Sequence, residues 1–379
     1  MIAGALAALA LVSSFAAAPP SLAERAQAAL DGARAAGSCP GLSAGLSLPS
    51  GTSLGLASGV SDRERATPMR ATDRLLAGSV GKTFVAAVAL QLVGEGRLAL
   101  ADPVEKHLGR ESWFSRLPNA KSATVRSLLH HTSGLVRYEF DPAFVRDLTS
   151  DPNRAFRPEE LVSYLLDRPP PFPAGERFEY SDTNYVVLGM IVERVTGKTL
   201  REEIETRCLR PLKLDGTVAS DSRRIPGLAV GYAGKGNPFG GADRMVVDGE
   251  FVFNPQFEWA GGGYASTGED LARWIRAIAE GRAYPPALVP VAIEREAVDA
   301  SRLLGRGARY GLGLIVRDGT PLGRAVGHSG FFPGYLAEAW AFPEKNVSVA
   351  VLCNTSDAPS IGRSPFSIAL ELAGIAASE

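Results

Sequence analysis

From Phe84 to Val93 the chain is almost wholly apolar, and Gly94-Glu95-Gly96 closes the run. A stretch apolar on every side, followed by glycines, predicts a buried helix starting near Ser79. Residues 41–48 and 53–60 have a different texture: short alternating runs separated by Pro49-Ser50-Gly51, the pattern of an antiparallel hairpin. Short β-type runs return at 310–316, 324–328, 337–342 and 347–352, and 364–376 predicts an apolar closing helix. Ser21-x-x-Glu24 is a capping-box pattern that would open an Ala-rich helix reaching about Ala36.

Between these ends, from Leu98 to about Pro255, helical segments alternate with Pro- and Gly-rich loops. Residues 158–166, 184–195 and 200–208 read as helices, and 209–248 as irregular. Gly261-Gly262-Gly263 marks a turn, and Thr267-x-x-Asp270 caps a further helix through Ile278. The expected fold class is α+β: an antiparallel sheet flanked by helices, with a mostly helical insert. Residues 24–97 and 262–379 would build the sheet domain, and 98–261 the insert.

The first 18 residues are apolar and uncharged, with Pro19-Pro20 behind them. Residues 1–23 therefore read as a signal peptide, with Ser21-Leu22-Ala23 fitting a small-x-small cleavage site, although no Lys or Arg precedes the apolar run. Cleavage there conflicts with the capping box. Export to the periplasm or outside is the expectation, and an uncleaved N-terminal anchor is the alternative. Export would permit a disulfide, but three cysteines (Cys39, Cys208, Cys353) leave at least one unpaired. With 379 residues and a formal net charge of -1, nothing points to nucleic acid or an anionic membrane. The four histidines are scattered and no H-E-x-x-H or C-x-x-C occurs, so neither a metal nor another cofactor is expected.

Ser79 and Lys82, three apart in the chain's only S-x-x-K, would share one face of the helix start. Backbone N–H groups there favour developing negative charge. Burial and the helix end would lower the lysine pKa, so that a neutral amine takes the serine proton. Tyr180, in Tyr180-Ser181-Asp182-Thr183-Asn184, is a candidate proton carrier, and Asp182 could position Lys82, unless it or Ser181 merely caps the next helix. Gly327-His328-Ser329-Gly330-Phe331 follows a predicted strand and could line a groove or offer backbone N–H groups, or be a simple turn.

Together the three motifs resemble the serine β-lactamase-like and penicillin-binding superfamily, with its S-x-x-K, Y-x-N and K-T-G or H-x-G signatures. The branch is that of class C β-lactamases, D-alanyl-D-alanine carboxypeptidases, D-aminopeptidases and family VIII esterases. Flanking stretches, 128–135 and 261–267 among them, add to the likeness, which spans roughly residues 39–376. The resemblance implies a serine hydrolase acting through an acyl-enzyme on an amide or ester, whether peptide, simple ester or β-lactam. It implies Ser79 as nucleophile, Lys82 and Tyr180 as base and acid, and the N–H groups of Ser79 and Phe331 as oxyanion hole. Asp182, His328, Ser329 and Gly330 would contact the substrate, with Ser329 bonding its carboxylate or carbonyl.

Two positions depart from the pattern. Asp182 replaces Asn, cannot donate to a substrate amide, and would hold Lys82 charged. His328 replaces the lysine of K-T-G, which leans away from efficient β-lactamases. Ser133 in His130-His131-Thr132-Ser133-Gly134 reads as a local hydrogen-bonder within a turn. Aromatics at 138, 140, 172, 251, 253, 257 and 259 could wall an acyl pocket or fill the core, and Arg309 or Arg324 could hold a carboxylate or lie on the surface. A lipase-type elbow fails, because Phe331 stands where a glycine is needed and no histidine follows. A catalytically inactive binding protein on the same fold is the reading from another class.

Overall fold

The computed structural model describes residues 19–235 and 237–378. The signal-peptide expectation for residues 1–18 lies outside them. Helix α1, Leu22–Ala35, opens on the expected reciprocal Ser21–Glu24 capping box. Cleavage after Ala23 would remove that cap. Among the described residues no helix is long and apolar enough to cross a membrane.

Nine strands form one antiparallel sheet: β1 Gly41–Ser47, β2 Ser53–Asp62, β3 Thr67–Pro68, β4 Val298–Asp299, β5 Ala308–Tyr310, β6 Ile315–Thr320, β7 Gly323–Phe332, β8 Tyr335–Phe342 and β9 Val347–Cys353. Their order is β3-β2-β1-β9-β8-β7-β6-β5-β4. The first hairpin and the last strand are therefore neighbours, with Leu42 opposite Cys353 and Ser47 opposite Ser348. Side chains alternate between two cores, as strand pleating requires. Val347, Val349, Val351 and Cys353 pack with α1 and the C-terminal helix, while Ala350 and Leu352 join the larger core.

Four further helices matter here: α2 Lys82–Gly94, α3 Asp182–Thr196, α4 Gly268–Ala279 and α5 Pro365–Ala377. Helices α1 and α5 cover one face of the sheet, and α4 packs against β1, β8 and β9 on the other. Helix α2 is buried on all sides, which explains its unbroken apolar sequence.

Three expectations shift. The helix expected from Ser79 begins as a 3-10 turn, Gly78–Gly81, and becomes α-helical at Lys82. The run 310–316 is not one strand, because residues 311–314 turn the chain between β5 and β6. Conversely, His328 to Phe332 is strand, not a turn, since β7 continues through it paired with β8. Its Gly330 is needed because a Cβ there would lie 2.0 Å from the Ala77 carbonyl oxygen.

Candidate active site

The 3-10 turn brings Ser79 and Lys82 together directly. At three residues per turn, positions i and i+3 eclipse. Lys82 Nζ donates to Ser79 Oγ at 3.1 Å. Gly78 has φ of 50°, and a Cβ there would sit 2.5 Å from the Phe331 carbonyl oxygen, so only glycine lets β7 run beside Ser79.

Lys82 is fully buried, yet it is not neutral. Its ammonium also donates to the Gly261 carbonyl oxygen and ion-pairs with Asp182 Oδ1. Burial pulls its pKa down, but Asp182 and Tyr180 outweigh this and raise it above the ordinary lysine value. Of the two sequence expectations, the neutral amine is corrected and the lysine held charged by Asp182 agrees with the structure, because that opposite, adjacent charge overrides desolvation. Asp182 is the first residue of α3, where the helix end favours an anion. Burial opposes its ionisation, while Lys82 and Arg137 hold its carboxyl well below the usual range. Ser181 occupies the N-cap position but turns its hydroxyl to the Val136 carbonyl oxygen.

Tyr180 lies over this pair, its ring centroid 5.0 Å from Lys82 Nζ. Its Oη is buried and makes no hydrogen bond among the described residues that meets normal geometry. Burial raises the phenol pKa, Lys82 pulls it down and Asp182 pushes it up, for a net rise.

His328 is buried on β7 and neutral: burial, then Lys82, lowers its pKa to about 3. Its ring is held at both ends, by Tyr310 Oη at 2.9 Å from Nε2 and by the Ser329 carbonyl at 2.6 Å from Nδ1. His131 continues the chain: its Nε2 is 3.3 Å from Tyr310 Oη, and its Nδ1 accepts from the Ser181 backbone N–H at 3.2 Å. One set of tautomers satisfies every member, with protons running from His131 to Tyr310 to His328 to the Ser329 carbonyl. The 130–134 stretch thus does more than turn. Ser133 is a buried local hydrogen-bonder, bonded to Asn184 and accepting from Leu135 N.

Ser79, Tyr180, Asp182, His328, Ser329, Gly330 and Phe331 all line one pocket of about 420 Å³. Four large hydrophobic side chains stand exposed among the described residues, and three of them, Phe140, Leu303 and Phe331, line it. Phe257, itself buried, also lines the pocket, whereas Tyr138, Phe172, Phe251 and Phe253 are buried away from it and Trp259 packs partly buried against the core. Arg309 and Arg324 do not line the pocket; both pair with Asp318 at 2.7 Å.

Several site residues escaped the sequence reading. Arg137 sits 3.8 Å from Asp182 Oδ2 and 2.6 Å from Glu139. Glu139 and Glu258 are buried and pushed up to about 8, in both cases chiefly by burial and by the charge of Asp182, against the pull of Arg137 and Lys82 respectively. Glu258 accepts from Gly263 N at 3.0 Å, across a sharp bend in which Trp259 takes a φ of 38°. That strained backbone aims the Gly261 carbonyl at Lys82. Nothing in the local pattern marks these residues, because distant segments bring them to the site.

A serine hydroxyl, a lysine and a tyrosine converging on one pocket, at the junction of an antiparallel sheet and a helical region, define a serine hydrolase that works through an acyl-enzyme. The Beta-lactamase family profile matches residues 26–372, and the chain belongs to that family. Esterase EstB of Burkholderia gladioli is 30% identical over 341 residues, covering 83% of this chain and 85% of that protein. Among solved structures, a D-stereospecific amidohydrolase from Streptomyces sp. matches with a TM-score of 0.75 and 28% identity, over 92% of this chain and 99% of its own. The D-amino acid amidase of Ochrobactrum anthropi SV3 bound to D-phenylalanine matches with a TM-score of 0.78 and 25% identity, over 93% and 98%.

Proposed function

We propose that this protein hydrolyses esters or amides with apolar acyl groups, and that Ser79 is the nucleophile. The observation that carries this reading is the apolar rim: Phe140, Leu303 and Phe331 stand exposed only where they flank the pocket holding Ser79. Exposed apolar groups gathered at a concave site favour apolar ligands. The likeness to an esterase and to D-amino acid amidases supports the same chemistry.

In this reading Ser79 Oγ attacks the carbonyl carbon while the bond to the leaving group breaks. Lys82 does not act as a free base, since Asp182 and Tyr180 hold it as an ammonium, which donates to Ser79 and Gly261 and ion-pairs with Asp182. The serine proton instead passes to Tyr180 Oη as Tyr180 hands its own proton to the leaving oxygen or nitrogen. No full phenolate forms, which suits a phenol whose pKa is raised. The Lys82 charge stabilises negative charge developing on both oxygens. The backbone N–H groups of Ser79 and Phe331 would hold the carbonyl oxygen as it gains charge. Water then resolves the acyl-enzyme by the reverse relay.

The test is labelling with a fluorophosphonate and, separately, with a fluorescent penicillin, read by intact mass, beside p-nitrophenyl ester hydrolysis. A fluorophosphonate adduct on the wild type, absent in Ser79→Ala, with ester turnover reduced at least about 1000-fold in that variant, is expected. An unlabelled wild type would sink the reading in favour of an inactive binding protein. A strong Ser79-dependent penicillin adduct would favour a penicillin-recognising peptidase or a class C-like β-lactamase.

A further inference from the structure

Glu338 lies on β8 directly across from Ser329 on β7, and it lines the same pocket as Ser79. Its Oε2 accepts from Ser329 Oγ at 2.9 Å and from Trp340 Nε1 at 2.6 Å. Two donors on one oxygen are an arrangement that suits a carboxylate. The side chain is half-buried; burial raises its pKa to about 7 against the pull of Trp340, Ser329 and Arg317, so above neutral pH it is the carboxylate that faces Ser329 and the groove.

A hydroxyl has one proton to give. With that proton directed at Glu338, Ser329 presents lone pairs to the groove and accepts rather than donates. A substrate carboxylate arriving at Ser329 meets an acceptor where it needs a donor, with a like charge just behind. An uncharged group loses nothing, and a cation or an N–H donor gains a partner.

We infer that Glu338 is a charge selector: it turns away substrates carrying a carboxylate beside Ser329 and admits uncharged and cationic ones. This rests on the serine-hydrolase reading and adds to it the class of substrate accepted. It predicts weak recognition of peptides and β-lactams that end in a carboxylate.

The test compares three esters differing in leaving-group charge: phenyl acetate, 3-carboxyphenyl acetate and 3-(trimethylammonio)phenyl acetate. Each kcat/KM at pH 8 is divided by the ester's hydroxide-catalysed rate. The wild type is expected to favour phenyl acetate over the carboxylated ester at least tenfold, mainly through KM. Glu338→Gln should bring that ratio to within about threefold, while Glu338→Asp keeps most of it. Removal of a remote charge, Glu371→Gln, which breaks a surface pair with Arg363, should leave the ratio alone. A wild type indifferent to the carboxylate, or a Glu338→Gln ratio equal to the wild-type one, would overturn the inference while leaving the hydrolase reading intact. If Glu338→Gln does not fold, the wild-type and Glu338→Asp ratios still decide. Absence of Ser79-dependent phenyl acetate hydrolysis would overturn both.

Discussion

Lys82 is fully buried, donates from its ammonium to Ser79 and Gly261 and ion-pairs with Asp182. Its charge is therefore part of the resting site, and the carboxylate at 182 is what keeps it there. Asp182→Asn removes that counter-ion. Burial then dominates and lowers the lysine pKa, so the ammonium is lost as pH rises through a lower value than in the wild type. If the charged lysine assists the Tyr180 relay, the basic limb of kcat/KM moves toward neutral pH in Asp182→Asn. A pH–rate profile checks this, and a variant that gains activity with its acid limb moved downward would show that a neutral lysine is the base. The identities of Ser79, Lys82, Tyr180 and Asp182 were legible in the sequence because each lies in a short motif. The protonation of Lys82 was legible only in part: the sequence shows an aspartate, but its contact with the buried amine is set by folding.

Short elements were read less well than long ones, for reasons visible in the packing. The all-apolar α2 and the pleated β8 and β9 carry their period in their own residues. The 3-10 turn 78–81 and the strand at 328–332 do not, because their glycines answer to neighbours distant in sequence. Gly81 is the sharpest case: a Cβ there would lie 1.6 Å from the Gly262 carbonyl oxygen. Its φ of −59° suits any residue, so the constraint is purely one of approach. Gly81→Ala should destabilise the fold by about 1–3 kcal/mol through overpacking. It should also lower kcat more than that loss explains, because the push displaces the turn whose Gly261 carbonyl holds Lys82. Denaturant unfolding and turnover of folded protein test the two effects, and an alanine variant with wild-type kcat would refute the second.

For the whole molecule, the buried acids set how stability depends on pH. Glu139 and Glu258 keep their protons up to about 8 in the fold, chiefly through burial, whereas the unfolded chain releases them near 4.5. Their folded pKa is raised, so their contribution is present at low pH and lost as pH rises toward 8. His130, lowered to about 4, and His328, lowered to about 3, act in the opposite sense, but only below the unfolded histidine value of 6.5. Between pH 6.5 and 8 the acids act unopposed by these histidines. Stability should fall by about 1–3 kcal/mol per pH unit there, since one differentially held proton is worth about 1.4 kcal/mol per unit. Urea midpoints at pH 6.5 and 8 measure the slope, and Glu258→Gln should flatten it. A midpoint that holds or rises over this interval would contradict the assignment.

The pairing of β1 with β9 also fixes an order of assembly. The hairpin made first joins the rest of the sheet only after β9 arrives, where Leu42 meets Cys353. A nascent chain therefore holds an unmatched strand edge until residues 347–353 are made, and closing so distant a contact is slow. The strand that flanks Ser79 is fixed through β8 to that same late partner. Reactivity should accordingly appear only after β9 has been made, which leaves shorter nascent chains without a formed Ser79 site.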